Sequence, residues 1–355
     1  MSSRAPSPEP VGSLTQQHVA VLGAGAWGTA LACAASQRAP TQLWARDAKL
    51  SEAINAQHTS PRYLPGISLP PALVCTASLA QALAHAQGGH LPGLLLLGVP
   101  LAGLRALCSQ LAEQLAHSTP KLAGIVYTCK GLEAQSGQLP SEVAQVALRP
   151  LGALPTGVLS GPSFALEVAR GLPVALTVAS ASLDLQEATI HALHGGNIRV
   201  YASTDVLGVE VGGALKNVLA IACGVGDGLG LGANARAALI TRGLTEMTRF
   251  GKALGAQTAT FAGLTGLGDL VLTATGDLSR NRQVGLALGR GAVLSTLLAS
   301  GLTAEGARCA QAVRERARTL GVDMPITEAV CQVLFEGVKP LDAVTQLLAR
   351  EATIE

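Results

Sequence analysis

The chain has no C-x-x-C pair, no long uninterrupted apolar run and almost no net charge, and each absence removes a class of protein. Its seven cysteines (Cys33, Cys75, Cys108, Cys129, Cys223, Cys309 and Cys331) are scattered and odd in number. That pattern argues against a disulfide framework and against a zinc site, and fits reduced thiols in a cytoplasmic protein. A formal net charge of +2 falls short of the strongly basic face that nucleic-acid binding requires, though it allows a local basic pocket for a small anion. Residues 1–17 are rich in Pro and Ser without an apolar core. They make neither a signal peptide nor a membrane anchor and read as a disordered tail. Beyond them, the longest apolar run is 94–97 with its flanks, too short to insert across a bilayer. No group of residues has the look of a metal cluster, so no metal is expected.

What is present is ample apolar material, 48% of 355 residues, enough for buried cores; the length suggests two domains, with one large domain also possible. From residue 18 to 203, short apolar runs at 19–22, 41–45, 94–99, 124–128, 157–159, 174–179 and 199–201 alternate with longer helical stretches. Strands covered on both faces read this way, and alternation with helices predicts a parallel α/β sheet. After residue 204 the texture changes to helical stretches at 206–225, 235–254, 280–289, 305–320 and 327–335, with no convincing strand. The expected architecture is a Rossmann-type α/β domain over 18–203 followed by an all-α domain over 204–355.

The first strand runs into Gly23-Ala24-Gly25-Ala26-Trp27-Gly28 and then a helix. In this context each glycine has its own task. Gly23 permits the tight turn, Gly25 lets the backbone approach a pyrophosphate, and Gly28 lets helix and strand pack closely. Free N–H groups at the helix start then hold the phosphates. A G-x-G-x-x-G alone also occurs as an ordinary Gly-rich loop; its position between strand and helix favours a nicotinamide dinucleotide. The second strand ends in Arg46-Asp47. An acid here suits the ribose 2′-OH of NADH, an arginine the 2′-phosphate of NADPH. Arg46 comes first, which favours NADPH without excluding NADH; a solvated loop pair is the other reading.

Oxidising an alcohol requires a base. No histidine occurs beyond His194, and His191 and His194 occupy a polar helix end. Lys216 is the better candidate, a single lysine in the apolar helix 206–225. Burial disfavours its ammonium and suits it to general-base work, unless its long stem carries it to the surface. Asp269 is the one carboxylate of the Gly-rich turn 263–270. Ser279, Arg280 and Asn281 stand at a helix start, where a capping serine beside an arginine makes either a phosphate site or a capped helix with exposed arginines. Lys130 follows the strand 124–128, and Ser160-Gly161-Pro162-Ser163 follows another, with Pro and Ser placed to open a helix. Both lie at the strand ends where open α/β sheets bind ligands, or serve only as strand-to-helix punctuation.

Together these segments resemble bacterial NAD(P)-dependent glycerol-3-phosphate dehydrogenases. The matching pieces are G-A-G-A-W-G-T-A-L-A at 23–32, L-W-A-R-D at 43–47, T-C-K-G-L-E at 128–133 and S-G-P-S-F-A at 160–165. They continue with G-G-A-L-K-N-V-L-A-I-A at 212–222, G-A-N-A-R-A-A-L-I-T-R-G at 232–243, G-L-G-D-L at 266–270 and S-R-N-R at 279–282. The resemblance spans about residues 18–345 in order. It implies interconversion of dihydroxyacetone phosphate and sn-glycerol 3-phosphate with NADPH or NADH, mainly toward glycerol 3-phosphate for phospholipids. It also implies a helical domain like that of 6-phosphogluconate dehydrogenase and, by analogy, a homodimer through apolar helical surface.

By motif, Lys216 looks like the proton acceptor and donor. Lys130, Gly161, Ser163, Lys216, Asp269, Ser279, Arg280 and Asn281 look like substrate contacts. Gly23, Gly25, Ala26, Trp27, Gly28, Arg46, Lys130, Ala165, Arg280, Thr303 and Glu305 look like cofactor contacts. The family's Val-Val-Glu-Gly stands here as Thr303-Ala304-Glu305-Gly306, so Glu305 matches and Thr303 departs. Leu101 departs too, where a small polar residue is common, and takes no role. A 2-hydroxyacid or ketopantoate reductase of the same architecture would act without a substrate phosphate and without special need of Arg280. A non-catalytic NADPH-binding sensor would be free to lose Lys216, Asp269 and Arg280, all of which are present.

Overall fold

The computed structural model describes residues 17–116, 119–299 and 305–349. The expected tail at 1–16 and the Thr303 position lie outside them. Gln17, assigned to that tail from sequence, is buried instead, and its amide donates to the Pro92 carbonyl at 3.3 Å.

Among the described residues, ten strands form in the first half: β1 Val19–Leu22, β2 Thr41–Trp44, β3 Thr59–Ser60, β4 Leu64–Ser68, β5 Val74–Thr76, β6 Gly93–Leu97, β7 Leu122–Tyr127, β8 Thr156–Ser160, β9 Val174–Ser180 and β10 Ile198–Ser203. Eight of them make one sheet in the order β5-β2-β1-β6-β7-β8-β9-β10, while β3 and β4 pair separately and antiparallel. The apolar runs are explained by burial on both sides. Val19, Val21, Leu94 and Leu96 point into one core, and Ala20, Leu22, Leu95 and Leu97 into the other, as period-two alternation demands. The chain leaves β1 toward β2 and later returns to β6 on its other side. The crevice between β1 and β6 is the topological switch point at which such sheets bind ligands.

The sheet is not wholly parallel as the sequence predicts. β9 pairs antiparallel with β8, and β10 is parallel to β9. The β8–β9 connection contains only the short helix Ala165–Ala169. A parallel crossover needs a longer element to carry the chain back across the sheet, so β9 enters from the edge where β8 ends. The full-length helix Leu183–Leu193 then makes the return that lets β10 run parallel to β9. β3, β4 and β5 escaped the sequence reading because they are short, two to five residues each, and none is a continuous apolar run.

Among the described residues, no strand follows Ser203. The second half is built around Val206–Gly228, whose residues 208–221 are all buried. Helices Gly232–Leu254, Asp269–Thr275, Arg280–Gly289 and Glu305–Thr319 pack around it. With mean hydropathy 1.6 over its most apolar window, this helix is long and apolar enough to cross a membrane by length and composition, which corrects the sequence-based view that residues 94–97 are the longest apolar stretch. Here 83% of that window is buried inside the protein. An all-round apolar helix is what a central core position requires. The two halves share cores: Val209 packs with Tyr127 and Val158 of the sheet, while Leu132 and Leu139, which follow β7, pack with Val211 and Leu215.

Candidate active site

At the switch point, the turn after β1 is sterically committed to glycine. Gly23 has φ +123°, and a Cβ there would lie 2.8 Å from the Gly98 carbonyl oxygen; a Cβ on Gly28 would lie 1.9 Å from the Gly23 oxygen. At Gly25 a Cβ would meet nothing within 4 Å. Gly25 is the N-cap of the helix Ala26–Ser36, and no side chain caps that end. The first-turn N–H groups therefore have no side-chain partner at the cap and stand beside open space, as close approach of a pyrophosphate requires. Ala26 and Trp27 open that helix, with Trp27 half-buried against the core. Arg46 is exposed beyond β2. Its neighbour Asp47 is the N-cap of Ala48–Gln57, its carboxylate accepting from the Lys49 N–H at 3.0 Å. The acid is thus engaged with its own helix, and Arg46 stands at the rim with a helix start beside it.

Across the crevice, the helix 206–228 brings Lys216 to the join of the two halves, 7% exposed. It does not reach for the surface. Its Nζ donates to Asp269 Oδ1 at 2.5 Å and to Thr273 Oγ1 at 3.1 Å. Lys130 donates to the other oxygen, Oδ2, at 2.7 Å and lies 3.4 Å from the Gly161 carbonyl. Asp269 is completely buried. It is not part of a Gly-rich loop, as the sequence suggests: it opens the helix Asp269–Thr275 directly after a π-helical turn, Leu264–Gly268. That turn comes against the central helix at Gly212, where a Cβ would lie 2.3 Å from the Thr265 carbonyl oxygen. A larger residue there would push Asp269 away from Lys216.

The electrostatics follow from two cations sharing one buried anion. Burial is the strongest influence on Lys216. Asp269 opposes it, Lys130 reinforces it, and the ammonium is pulled down to about 8. Burial alone would raise the Asp269 carboxyl, but the ammonium groups of Lys130 and Lys216 outweigh it and hold it below the usual aspartate range. A lysine near 8 can give and take a proton at physiological pH, and the cluster carries one positive charge in excess, which suits an anionic substrate.

The Ser279 segment is the helix start expected of it. Ser279 is the N-cap of Arg280–Gly289, its hydroxyl accepting from the Arg282 N–H at 3.2 Å. Arg280 is exposed and Asn281 buried. Asn281 is tied to the lysine-bearing helix, donating to Asn217 Oδ1 at 3.0 Å and accepting from the Gly306 N–H at 2.9 Å. The latter contact draws in the helix Glu305–Thr319, which opens on the exposed Glu305. Gly161 and Ser163 follow β8, with the Ser163 hydroxyl donating to the Gly161 carbonyl at 3.1 Å. The expectation that Pro162 and Ser163 form a helix's first turn is not met: the helix begins at Ala165 with Phe164 as its N-cap. Ser163 is turned back on the loop, which keeps the chain extended until Phe164.

Lys130, Lys216 and Asp269 are therefore in contact, Gly161 touches Lys130, and Asn281 is linked to the neighbour of Lys216. Two residues absent from the sequence expectations belong here. Thr273 lies one helical turn after Asp269, a spacing that places both on one face. Asn217 adjoins Lys216 in the same motif. The exposed His191 and the half-buried His194 lie on or beside the helix Leu183–Leu193 at the far edge of the sheet, and the hydrogen bonds of the His194 ring run to Val200 and Arg199. Among the described residues, no group of three or more metal-ligating side chains converges.

Fold and site together define a nicotinamide-dinucleotide-dependent dehydrogenase with a helical C-terminal half. Residues 18–186 match the model for the N-terminal part of NAD-dependent glycerol-3-phosphate dehydrogenase, and residues 205–345 the model for its C-terminal part. The chain is 58% identical over 338 residues to a glycerol-3-phosphate dehydrogenase [NAD(P)+] of Burkholderia orbicola, covering 95% of this chain and 99% of that protein. Among solved structures it is similar to the Coxiella burnetii glycerol-3-phosphate dehydrogenase (39% identity, TM-score 0.84, 94% and 99% of the two chains). It is also similar to the Saccharomyces cerevisiae enzyme (28% identity, TM-score 0.79, 93% and 99%). The chain belongs to the NAD-dependent glycerol-3-phosphate dehydrogenase family.

Proposed function

We propose that this protein reduces dihydroxyacetone phosphate to sn-glycerol 3-phosphate, reversibly, with NADPH favoured over NADH, and so supplies glycerol 3-phosphate for phospholipid synthesis. The observation that carries the reading is the Lys130–Asp269–Lys216 arrangement at the join of the halves, beside a serine-capped helix start bearing Arg280. Residues 18–203 take the dinucleotide through Gly23, Gly25, Ala26, Trp27, Gly28, Arg46, Lys130 and Ala165, with Arg280 and Glu305 contributing from the helical half, 204–355. Substrate contacts are Lys130, Gly161, Ser163, Lys216, Asp269, Ser279, Arg280 and Asn281.

When bound, the nicotinamide provides the hydride that C2 of the substrate receives. The protein's own part is electrostatic and acid–base. Arg280 and the N–H groups that open its helix hold the substrate phosphate. Lys216 Nζ gives a proton to the oxygen developing negative charge at C2, and in the oxidative direction takes the hydroxyl proton from the same atom. Asp269 aims Lys216 and balances its charge. Lys130, on the other carboxylate oxygen, lowers the cost of releasing that proton. Engagement of Asp47 as a helix cap leaves Arg46 as the group for a 2′-phosphate, which supports the NADPH preference. The seven free thiols suit a reducing, cytoplasmic setting, and exposed Phe335, Leu341 and Leu348 on the helical half supply apolar surface for a homodimer.

The test is spectrophotometric reduction of dihydroxyacetone phosphate with NADPH and NADH in parallel. Turnover with NADPH exceeding that with NADH supports the whole reading. Absence of turnover with both overturns the activity, and an NADH preference overturns the cofactor assignment alone.

A further inference from the structure

Glu210 is an anomaly in the helix 206–228: a carboxylate 3% exposed among apolar neighbours. Burying a carboxylate is costly unless its oxygens are well satisfied. Both are: Oε1 accepts from the Ser141 N–H at 2.7 Å and Oε2 from the Ser141 hydroxyl at 2.6 Å. Ser141 stands in the first turn of the helix Pro140–Ala147, so a side chain of the helical half grips a helix of the sheet half.

What connects this grip to the chemistry is the segment between. Lys130 lies near the start of the stretch 128–139 that links β7 to that helix, and Ser141 just beyond its end. Three residues after Glu210, on the same side of the central helix, comes Gly213, where a Cβ would lie 3.2 Å from Cγ of Lys130. One face of the helix therefore seats both ends, Ser141 on Glu210 and the Lys130 stem on Gly213. The middle is also attached, since Leu132 and Leu139 are buried in the helical core and the Leu132 N–H meets Cys309 Sγ at 3.3 Å. On the outer side Arg316 pairs with Glu142 at 2.6 Å, half-exposed. Glu210 is the inner fastening, on the same helix as Lys216.

Accepting the proposed function, we infer that Glu210 is a positioning residue for the reaction: by holding Ser141 it keeps Lys130 against Asp269, and so sets the charge that Lys216 experiences. Glu210 touches neither substrate nor cofactor. Tyr127, Cys129, Glu142 and Arg316 surround it, whereas Lys216 faces Asp269, Lys130 and Thr273. The consequence is specific. Lys130 depresses the basicity of Lys216, and reduction needs protonated Lys216, so activity falls as pH rises through the lysine's pKa. Loosening Lys130 removes a like charge and moves that fall to higher pH.

The experiment compares wild type, Glu210→Ala, Glu210→Gln and Ser141→Ala in dihydroxyacetone phosphate reduction over pH 6–10, with melting temperatures measured alongside. Glu210→Ala is expected to lower kcat about tenfold or more and to shift the alkaline limb up by about 0.5 to 1 unit. Glu210→Gln should restore both, because an amide can accept from the Ser141 N–H and donate to its hydroxyl. Ser141→Ala keeps the N–H and should shift the limb less, in the same direction; it decides the matter if Glu210→Ala does not fold. Variants that melt lower with kcat and limb unmoved would show a merely structural role and overturn the inference. A wild type that does not reduce the substrate overturns the proposed function and this role with it, whereas an active wild type with unmoved variants overturns this role alone.

Discussion

Lys216 and Asp269 meet at 2.5 Å, Nζ to Oδ1, at a join where the carboxylate is wholly enclosed and a second lysine holds its other oxygen. Removing one member of a buried ion pair costs about 3–5 kcal/mol when it leaves an unpaired charge. The pair is therefore asymmetric as an experimental target. Loss of Asp269 strands two cations, whereas loss of Lys216 leaves Asp269 still paired with Lys130.

Lys216→Ala is accordingly the informative variant. It should fold, bind NADPH with near-normal affinity, and lose turnover by about 10²–10⁴-fold, the usual contribution of a placed acid–base group. Stopped-flow or steady-state turnover together with fluorescence titration of NADPH would check it. Near-normal turnover would remove Lys216 from the chemistry.

The pH dependence follows from the same pair. Burial brings Lys216 down to about 8. In the proposed role of Lys216 reduction uses the ammonium, so kcat for reduction should be flat at low pH and fall as pH rises through about 8. Oxidation uses the neutral amine and should rise over the same window. Opposite slopes for the two directions are the signature, and parallel slopes would assign the titration to another group.

Glu246 provides a stability test away from the chemistry. It is buried, and it accepts from the N–H groups of Ile326 and Thr327 and the hydroxyl of Thr327, tying the start of the helix Pro325–Phe335 to Gly232–Leu254. Burial raises its carboxyl from 4.5 to about 7, against the lowering effect of those donors. A carboxyl with a raised folded-state pKa contributes stability that is complete below the unfolded value and is lost as pH rises through the folded one. The melting temperature should therefore decline between about pH 5 and pH 8, and Glu246→Gln should lessen that decline, the remainder belonging to Glu210, whose carboxyl burial also raises to about 7. Glu246→Ala leaves buried donors unpaired and should cost about 1–3 kcal/mol at low pH, a cost that shrinks as pH rises through the folded-state pKa. Calorimetry across the window reads both.

Much of this was legible in the sequence because burial on both faces leaves a plain trace. Strands such as β1 and β6 read as unbroken apolar runs, and a lone lysine in a long, largely apolar helix announces Lys216. Legibility failed where tertiary contacts decide. β9 is reversed because the connection before it is short, which no property of its own residues reveals. Thr273 and Asn217 join the site only through the packing of the Asp269 and Ser279 helices on the central one. Asp47 sits directly before a helix, in the place of an N-cap, but competing cofactor readings of Arg46-Asp47 concealed that simpler use.

Arg46 leads to a cofactor prediction. With Asp47 engaged as a helix cap, removal of the arginine should weaken NADPH and leave NADH nearly untouched. A hydrogen bond to a charged group contributes about 1.5–3 kcal/mol, so Arg46→Ala should raise the KM for NADPH about 10- to 100-fold. An equal effect on both cofactors would mean that Arg46 serves the dinucleotide in some way other than through its 2′-phosphate.

Arg280 separates a phosphate-dependent enzyme from a 2-hydroxyacid reductase of the same architecture. Its place in the first turn of a serine-capped helix would offer a substrate phosphate both a guanidinium and a row of N–H donors. Arg280→Ala should therefore raise the KM for dihydroxyacetone phosphate by about tenfold or more, since the lost interaction is a charge-assisted one, and Arg280→Lys should recover only part, because a point charge cannot reproduce the fork. The control is dihydroxyacetone itself, assayed at high concentration: lacking the phosphate, it should be reduced slowly by wild type and variant alike. If the variant loses the unphosphorylated substrate in equal measure, Arg280 acts on the cofactor or on the reacting carbons, and the phosphate must be held elsewhere.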